Sequence, residues 1–226
     1  MAQQGEDIPL GERVTAIQPL RSDPNIRSVR VGRRTIAKLR ASEIEALGVE
    51  VGQELTAGLW RDLERAAEQD KGRKAALRLL GRRAYSSGQI VQRLGRRGFD
   101  RDLSRRIAEE LVEAGWIDDL AYARAEARQI LSRAPAGKRL LVSKLRQRFI
   151  SAEMAEQVAE EVLRGVDATE QATALARKRL RVMGPVPPAT AARRIAAALH
   201  RRGFDGETVR NVIEGLPLVD DASDAD

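Results

Sequence analysis

Few residue types that do chemistry are present, and fewer are spaced to do it. The chain has no cysteine and a single histidine, His200. That removes disulfides, thiolate zinc sites, iron–sulfur clusters and a cysteine nucleophile, and leaves no histidine-rich metal site. His200 stands in a basic linker and reads as a solvated surface residue. The one conspicuous carboxylate pair, Asp118-Asp119, would need further ligands to hold magnesium and a partner to do acid–base work. A helix cap accounts for it better. Gly95-Arg96-Arg97-Gly98 has the glycines of a phosphate loop but lacks a following Lys-Ser/Thr and a preceding strand, so it reads as a helix–helix turn. No catalytic residue, metal or cofactor is expected, and the chain reads as a non-enzyme.

What remains is charge. Forty Lys and Arg stand against 33 Asp and Glu in 226 residues, a net charge of +7. Residues 71–106 hold 12 basic and 2 acidic residues, and the remainder sums to −3, which places the positive field in that segment. Arg82, Arg83, Arg93, Arg96 and Arg97 lie there. Lys144, Arg146 and Arg148 recur further on, and Arg201 and Arg202 further still. Charge on helices is often only a solvated face. Recurrence at equivalent linker positions argues instead for a basic track suited to an acidic groove or a phosphate backbone. With seven aromatic residues in all, a binder that works by stacking bases on a sheet is disfavoured. Trp60, Trp116 and Tyr122 read as packing residues at helix junctions.

The elements that position these groups repeat. Ile90–Leu94, Leu141–Leu145 and Ile195–Leu199 align at offsets of 51 and 54. Five residues after each last Leu stands Phe99, Ile150 or Phe204. Leu103, Ile107 and Leu111 follow Phe99 at steps of four, as Met154, Val158 and Val162 follow Ile150, which puts each set on one helical face. After Phe204 the match is looser, with Val209, Val212, Ile213 and Leu216. Gly115, Gly165 and Gly215 stop these helices. An opening helix precedes each middle one: Lys74–Arg83 with Leu77 and Leu80, Asp119–Arg133 with Tyr122, Ile130 and Leu131, and Thr169–Met183 with Leu175, Leu180 and Val182. Ser86 and Thr190 are expected to cap middle helices, and Asp118 or Asp119 the helix after Gly115.

The fold class is therefore mainly α: tandem three-helix, helix-turn-helix-like repeats in an elongated array, with a small N-terminal β-hairpin extension. A lone repeat has a small core and is marginal by itself, and stacked neighbours share buried surface. The boundaries are a disordered leader over 1–12, the hairpin and a helix of about 57–69 over 13–69, repeats over 70–117, 118–167 and 168–216, and an acidic tail over 217–226. In the extension, Val14–Ile17 ends at Pro19, Ser22–Asn25 is a turn, two strands flank Gly32-Arg33, and Ser42 caps a short helix that Gly48 ends.

The ordered set Arg83-Ala84-Tyr85-Ser86…Gln89-Ile90…Leu94…Gly98-Phe99, then Gly115-Trp116-Ile117-Asp118-Asp119…Tyr122-Ala123, then Gly137-Lys138…Leu141…Leu145 resembles the RecX family of bacterial recombination regulators. The order and spacing agree over about 71–165. Gly88 inside a helix, Phe149 where the turn expects Gly, and the proline-rich Gly184–Pro188 depart from the pattern. Ser86, Gly98, Phe99, Gly115, Asp118, Asp119, Tyr122 and Gly137 are then the structural motif. The resemblance implies a regulator of homologous recombination and the SOS response. It would bind RecA in the groove of the RecA–single-stranded DNA filament and mostly inhibit its ATPase, strand-exchange and coprotease activities. Arg82, Arg83, Arg93, Arg96, Arg97, Lys144, Arg146, Arg148, Arg201 and Arg202 are the contact candidates, with weak direct DNA binding as a further expectation. The alternative is a helix-turn-helix transcription regulator, for which the linkers offer few amides beyond Gln89, Gln92 and Gln147. The chain shows no signal peptide and no run of about 20 apolar residues, so a cytoplasmic monomer without membrane contact is expected.

Overall fold

The β-rich start is set by alternation. Residues 14–40 alternate small apolar with polar side chains, the period of a half-buried sheet. In this computed structural model, which describes residues 9–217, they form three antiparallel strands, β1 (Val14–Leu20), β2 (Asp23–Val31) and β3 (Arg34–Arg40), in the order β1-β2-β3. The expected hairpin is therefore a three-stranded meander. Asp23–Asn25 belongs to β2 and not to a turn, because β1 runs through Pro19 to Leu20 before the chain reverses. Most of the leader and nearly all of the acidic tail lie outside the described residues.

Helix α1 (Ala41–Ala46) follows directly. Its cap is not Ser42, which lies inside the helix: the Glu43 carboxylate accepts the Arg40 backbone N–H at 3.1 Å. Helix α2 runs unbroken over Ala57–Leu80, capped by the Thr56 hydroxyl on the Leu59 N–H at 3.2 Å. The two helices read on either side of residue 70 are thus one. No proline interrupts Glu68-Gln69-Asp70-Lys71, and a glycine in the helix interior, Gly72, is tolerated at a cost of about 1 kcal/mol. The sheet and α2 enclose Val14, Val29, Val31, Leu39, Leu55 and Leu63, with Trp60 half-buried against them.

Eight further helices follow among the described residues: α3 (Ser87–Gly95), α4 (Arg101–Glu113), α5 (Asp119–Arg133), α6 (Lys138–Gln147), α7 (Ala152–Leu163), α8 (Ala168–Arg181), α9 (Pro188–Arg201) and α10 (Gly206–Glu214). The three-helix periodicity is therefore present. The turn residues that follow the middle helices, Gly98, Phe149 and Gly203, all have positive φ (90°, 63° and 81°). Two residues on, Asp100, Ser151 and Asp205 each cap the third helix of a repeat by accepting backbone N–H groups.

The chain divides into two compact units, one built from the chain up to Arg82 with Leu94–Ile107, the other from Arg83–Arg93 with the chain from Ala108 onward. In the first, Gly72 lets α2 approach α4 closely: a Cβ there would lie 2.5 Å from Ile107 Cδ1. The second contains two cores, one around Leu141, Leu145, Ile150 and Val158, the other around Ile195, Leu199, Phe204 and Val212.

The opening helices bury small residues where large ones were expected. Ala123 and Ala127 in α5, and Ala172 and Ala176 in α8, are fully buried, and α2 buries Gly72 and Ala76 in the same spacing. These i, i+4 pairs let helices cross closely, while Tyr122, Ile130 and Leu175 flank the contact half-buried. Val182, expected on this face, is 77 % exposed because α8 has ended before it. Thr190 does not cap α9, whose start is set instead by Pro188 at the first helical position. Trp116 is 60 % exposed and not packed. It follows the left-handed Gly115, and the neighbouring Ile117 takes the buried place.

Candidate functional site

The site is built at the start of α3. Ser86 Oγ accepts the Gln89 N–H, and Gln89 Oε1 accepts the Ser86 N–H, both at 3.2 Å, a reciprocal cap. The Ser86 hydroxyl donates its own proton to the Arg148 carbonyl, 62 residues away, at 2.6 Å. Asp119 binds the same helix end from the other side, accepting the Ser87 N–H at 2.8 Å and the Ser87 hydroxyl at 2.5 Å. Its neighbour Asp118 caps α5 on the Ala121 N–H at 2.8 Å. The carboxylate pair thus has two structural tasks. One is the expected helix cap, and the other reaches between repeats.

Two of the departures from the family pattern explain each other. A Cβ on Gly88 would lie 2.5 Å from Phe149 Cβ and 2.9 Å from Phe149 O. Gly88 is where α3 receives the Phe149 turn, and Phe149 holds the left-handed conformation (φ 63°) that glycine takes in the other two repeats. Phe149 is left 46 % exposed. The next joint repeats this contact with no side chains. The Gly137 N–H donates to the Arg202 carbonyl at 2.9 Å, and a Cβ on Gly137 would lie 2.2 Å from Gly203 O. Arg202 turns inward, donating from Nε to Pro135 O at 2.6 Å and from Nη2 to Ala134 O. Burial lowers its pKa below the usual guanidinium range, though an arginine stays charged at neutral pH.

Between these joints lies an open groove of about 620 Å³. Its walls hold Arg83 and Arg93 with Gln89 and Gln92 from around α3, Glu126 and Arg133 from α5, Lys144 and Gln147 from α6, then Arg148, Phe149 and Arg202. The single carboxylate lining it, Glu126, is engaged by Arg148 Nη2 at 3.0 Å, so cations outnumber carboxylates along its walls. Arg83 and Arg93 both stack against the buried Tyr85 ring, their guanidinium carbons 4.2 and 4.6 Å from its centroid, which orders both forks. Burial holds the Tyr122 phenol above its ordinary range. Such a groove offers guanidinium forks, three amides and an aromatic edge. It suits carboxylate or phosphate groups on an extended ligand.

Of the ten basic candidates, the groove brings together Arg83, Arg93, Lys144, Arg148 and Arg202. Arg82, Arg96, Arg97 and Arg201 are exposed and do not line it. Arg146 lines another depression with Lys138, Arg139 and Glu156, where Lys138 is already paired with Glu156 at 2.9 Å and Glu160 at 2.7 Å. Sequence reasoning missed Arg133, whose place at the end of α5 was visible, and the clamp on Tyr85, whose only signal was its position between two arginines. His200 is exposed, as expected of a solvated residue. No group of three or more metal-ligating side chains occurs among the described residues, and no helix there is long and apolar enough to cross a membrane.

Known proteins resemble this chain. The family description of the first three-helix domain of RecX matches residues 73–111, and that of the third matches residues 166–213. The regulatory protein RecX of Chlorobaculum tepidum is 30 % identical over 150 residues, 64 % of this chain and 91 % of that protein. RecX of Halorhodospira halophila is 33 % identical over 147 residues, 65 % and 89 % of the two chains. A crystal structure of a regulatory protein RecX superposes with a TM-score of 0.72 at 18 % identity, covering 90 % of this chain and 99 % of the other. RecX from Lactobacillus salivarius gives 0.58 at 21 % identity, covering 67 % and 98 %. At those identities the structural likeness concerns the fold.

Proposed function

The chain belongs to the RecX family of regulatory proteins, and we propose that it acts on RecA assembled on single-stranded DNA, with the arginine-lined groove as a principal contact. The supporting observation is the convergence of Arg83, Arg93, Arg133 and Lys144 on one opening whose only carboxylate is already paired. The mechanism is steric and multivalent. Successive repeats contact successive protomers of a helical filament, and weak contacts combine through effective concentration. Occupation of the filament groove excludes other clients and hinders the movements that accompany nucleotide turnover. ATP hydrolysis, strand exchange and coprotease activity fall together, which restrains recombination and the SOS response. No catalytic group of this chain takes part.

The reading is tested by sedimenting RecA filaments with the protein at moderate salt while RecA ATPase on single-stranded DNA is followed. The protein is expected to pellet with filaments and slow hydrolysis. The double substitution Arg93→Gln/Lys144→Gln is expected to weaken both, because it removes charge from the groove without touching the joints. Absence of co-sedimentation together with an unchanged ATPase refutes the proposal.

A further inference from the structure

Residues 217–226 carry Asp220, Asp221, Asp224 and Asp226 and no basic residue, a charge to which the repeats give no task. The groove lies in the same compact unit of the chain. Its walls set Arg83, Arg93, Arg133, Lys144, Arg148 and Arg202 against Glu126 alone. Arg148 already holds that carboxylate, and Lys144 Nζ donates to a neutral partner, Gln147 Oε1, at 3.3 Å. By themselves the walls leave a positive excess.

The fold starts the acidic segment close to this groove. Leu216 is buried in one core with Leu199 and Phe204, and Arg202, which lines the groove, stands between those two in the chain. Helix α10 has 9 residues, a length of about 13–14 Å at 1.5 Å per residue. The chain at Pro217 is therefore about one short helix away from the turn at Arg202. Residues 218–226, fully extended, span up to about 30 Å, more than enough to run back along α10. Asp224 and Asp226 have the reach to enter the groove, and Asp220 and Asp221 to meet its rim. Laid out as an extended chain, alternate residues share a side at steps of about 6.6–6.8 Å, so Asp220, Asp224 and Asp226 point one way. Ala222, Ser223 and Ala225 between them add little bulk.

We infer that residues 218–226 dock in this groove of their own chain as an extended acidic segment, so that any other ligand of the groove must displace them. The guanidinium forks of Arg83 and Arg93, ordered on the Tyr85 ring, match carboxylates bidentately. The amides of Gln89, Gln92 and Gln147 offer hydrogen-bond partners to an extended backbone. The depression beside α6 suits the segment less, because Lys138 there is already bound to Glu156 and Glu160. Each solvated ion pair is weak. Tethering raises the effective concentration to the millimolar range for a short linker, at which several weak pairs suffice. The contact rests on the geometry of the groove and needs no RecA, so it and the filament reading fail separately.

Two measurements on the full chain, without RecA, test this. The first is zero-length carbodiimide cross-linking at low protein concentration, read by mass spectrometry. Lys144 is one of six lysines in the chain and the one that lines the groove among the described residues. An amide joining Asp224 or Asp226 to Lys144 within one chain is expected. Links from the segment to Lys138 or Lys178 in its place overturn the inference, as do links formed only between copies, which a mixture of unlabelled and isotope-labelled chains reveals. The second is the anisotropy of fluorescein-labelled decaglutamate at moderate salt. The substitution Asp220→Asn/Asp221→Asn/Asp224→Asn/Asp226→Asn is expected to tighten binding of this probe about threefold or more, because it frees a site that was fractionally occupied. The gain is expected to vanish when Arg93→Gln/Lys144→Gln is also present. No gain overturns the inference, and so does a gain that survives loss of the groove cations, since it would then report net charge alone.

Discussion

The two joints of the repeat region make the same connection with opposite means. At the first, Ser86 donates its hydroxyl proton to the Arg148 carbonyl, and a side chain, Phe149, fills the space that Gly88 leaves. At the second, a bare backbone N–H from Gly137 donates to the Arg202 carbonyl, and Gly137 and Gly203 meet with no side chain between them. The first arginine reaches across to Glu126, and the second is drawn onto the Ala134 and Pro135 carbonyls. One architecture is thus held once by complementary bulk and once by its absence. The groove lies between these two solutions, and Phe149 stands exposed on one wall of it because the first joint is the bulky one.

The contrast breaks most severely at the second joint. Gly203→Ala combines a left-handed φ of 81° with a Cβ placed 2.2 Å from Leu140 N, where the backbone cannot yield. A loss of about 3 kcal/mol or more is expected, read as a fall in thermal or urea midpoint. Arg202→Gln follows, at about 2 kcal/mol, because it leaves two carbonyls without their charged donor. The first joint is expected to forgive more. Gly88→Ala gains about 1 kcal/mol of helix propensity and loses about 1–3 to overpacking, and Phe149→Gly in the same chain is expected to recover part of the loss. A double-mutant cycle with no coupling would separate two residues that the structure joins. Arg148→Gln is expected to cost under about 1 kcal/mol and to lose its effect in high salt, since the ion pair it removes is partly solvated.

The smallest effect is set by pH and distinguishes the caps. Backbone N–H groups hold the Asp100 and Asp205 carboxyls below the usual range, led by Leu103 N–H at Asp100 and Thr208 N–H at Asp205. A carboxyl depressed in the folded state contributes stability above its unfolded pKa of about 3.9 and loses it as pH falls through the folded value. Ser151 occupies the same place in the second repeat and does not titrate there. Acid unfolding monitored by hydrogen exchange is therefore expected to loosen α4 and α10 before α7. Asp205→Asn is expected to flatten that dependence for α10 alone.

Much of this architecture was readable from spacing. The repeat offsets, the apolar faces at steps of four and the turn after each middle helix follow from helical geometry acting on one chain. The unbroken α2, the pairing of three strands into one sheet and the buried alanine pairs were not readable. A helix–helix crossing selects for small side chains only once its partner is in place, and alternation over a few residues does not say how many strands pair. The site was legible in kind and not in membership. The basic candidates recur along the chain, but Arg96, Arg97 and Arg201 face solvent while Arg133 joins the groove.

By itself the sequence determined what is local: helix periods, caps such as Asp118 and Ser86, the absence of thiol chemistry, and family membership through an ordered set of motifs. Tertiary structure alone decided what depends on distance in space. It pairs Gly88 with Phe149 and Gly137 with Gly203, and turns one arginine outward to a carboxylate and its counterpart inward to carbonyls. Net charge adds over a chain regardless of position, whereas a field acts from where the charges stand, and only folding gives them places.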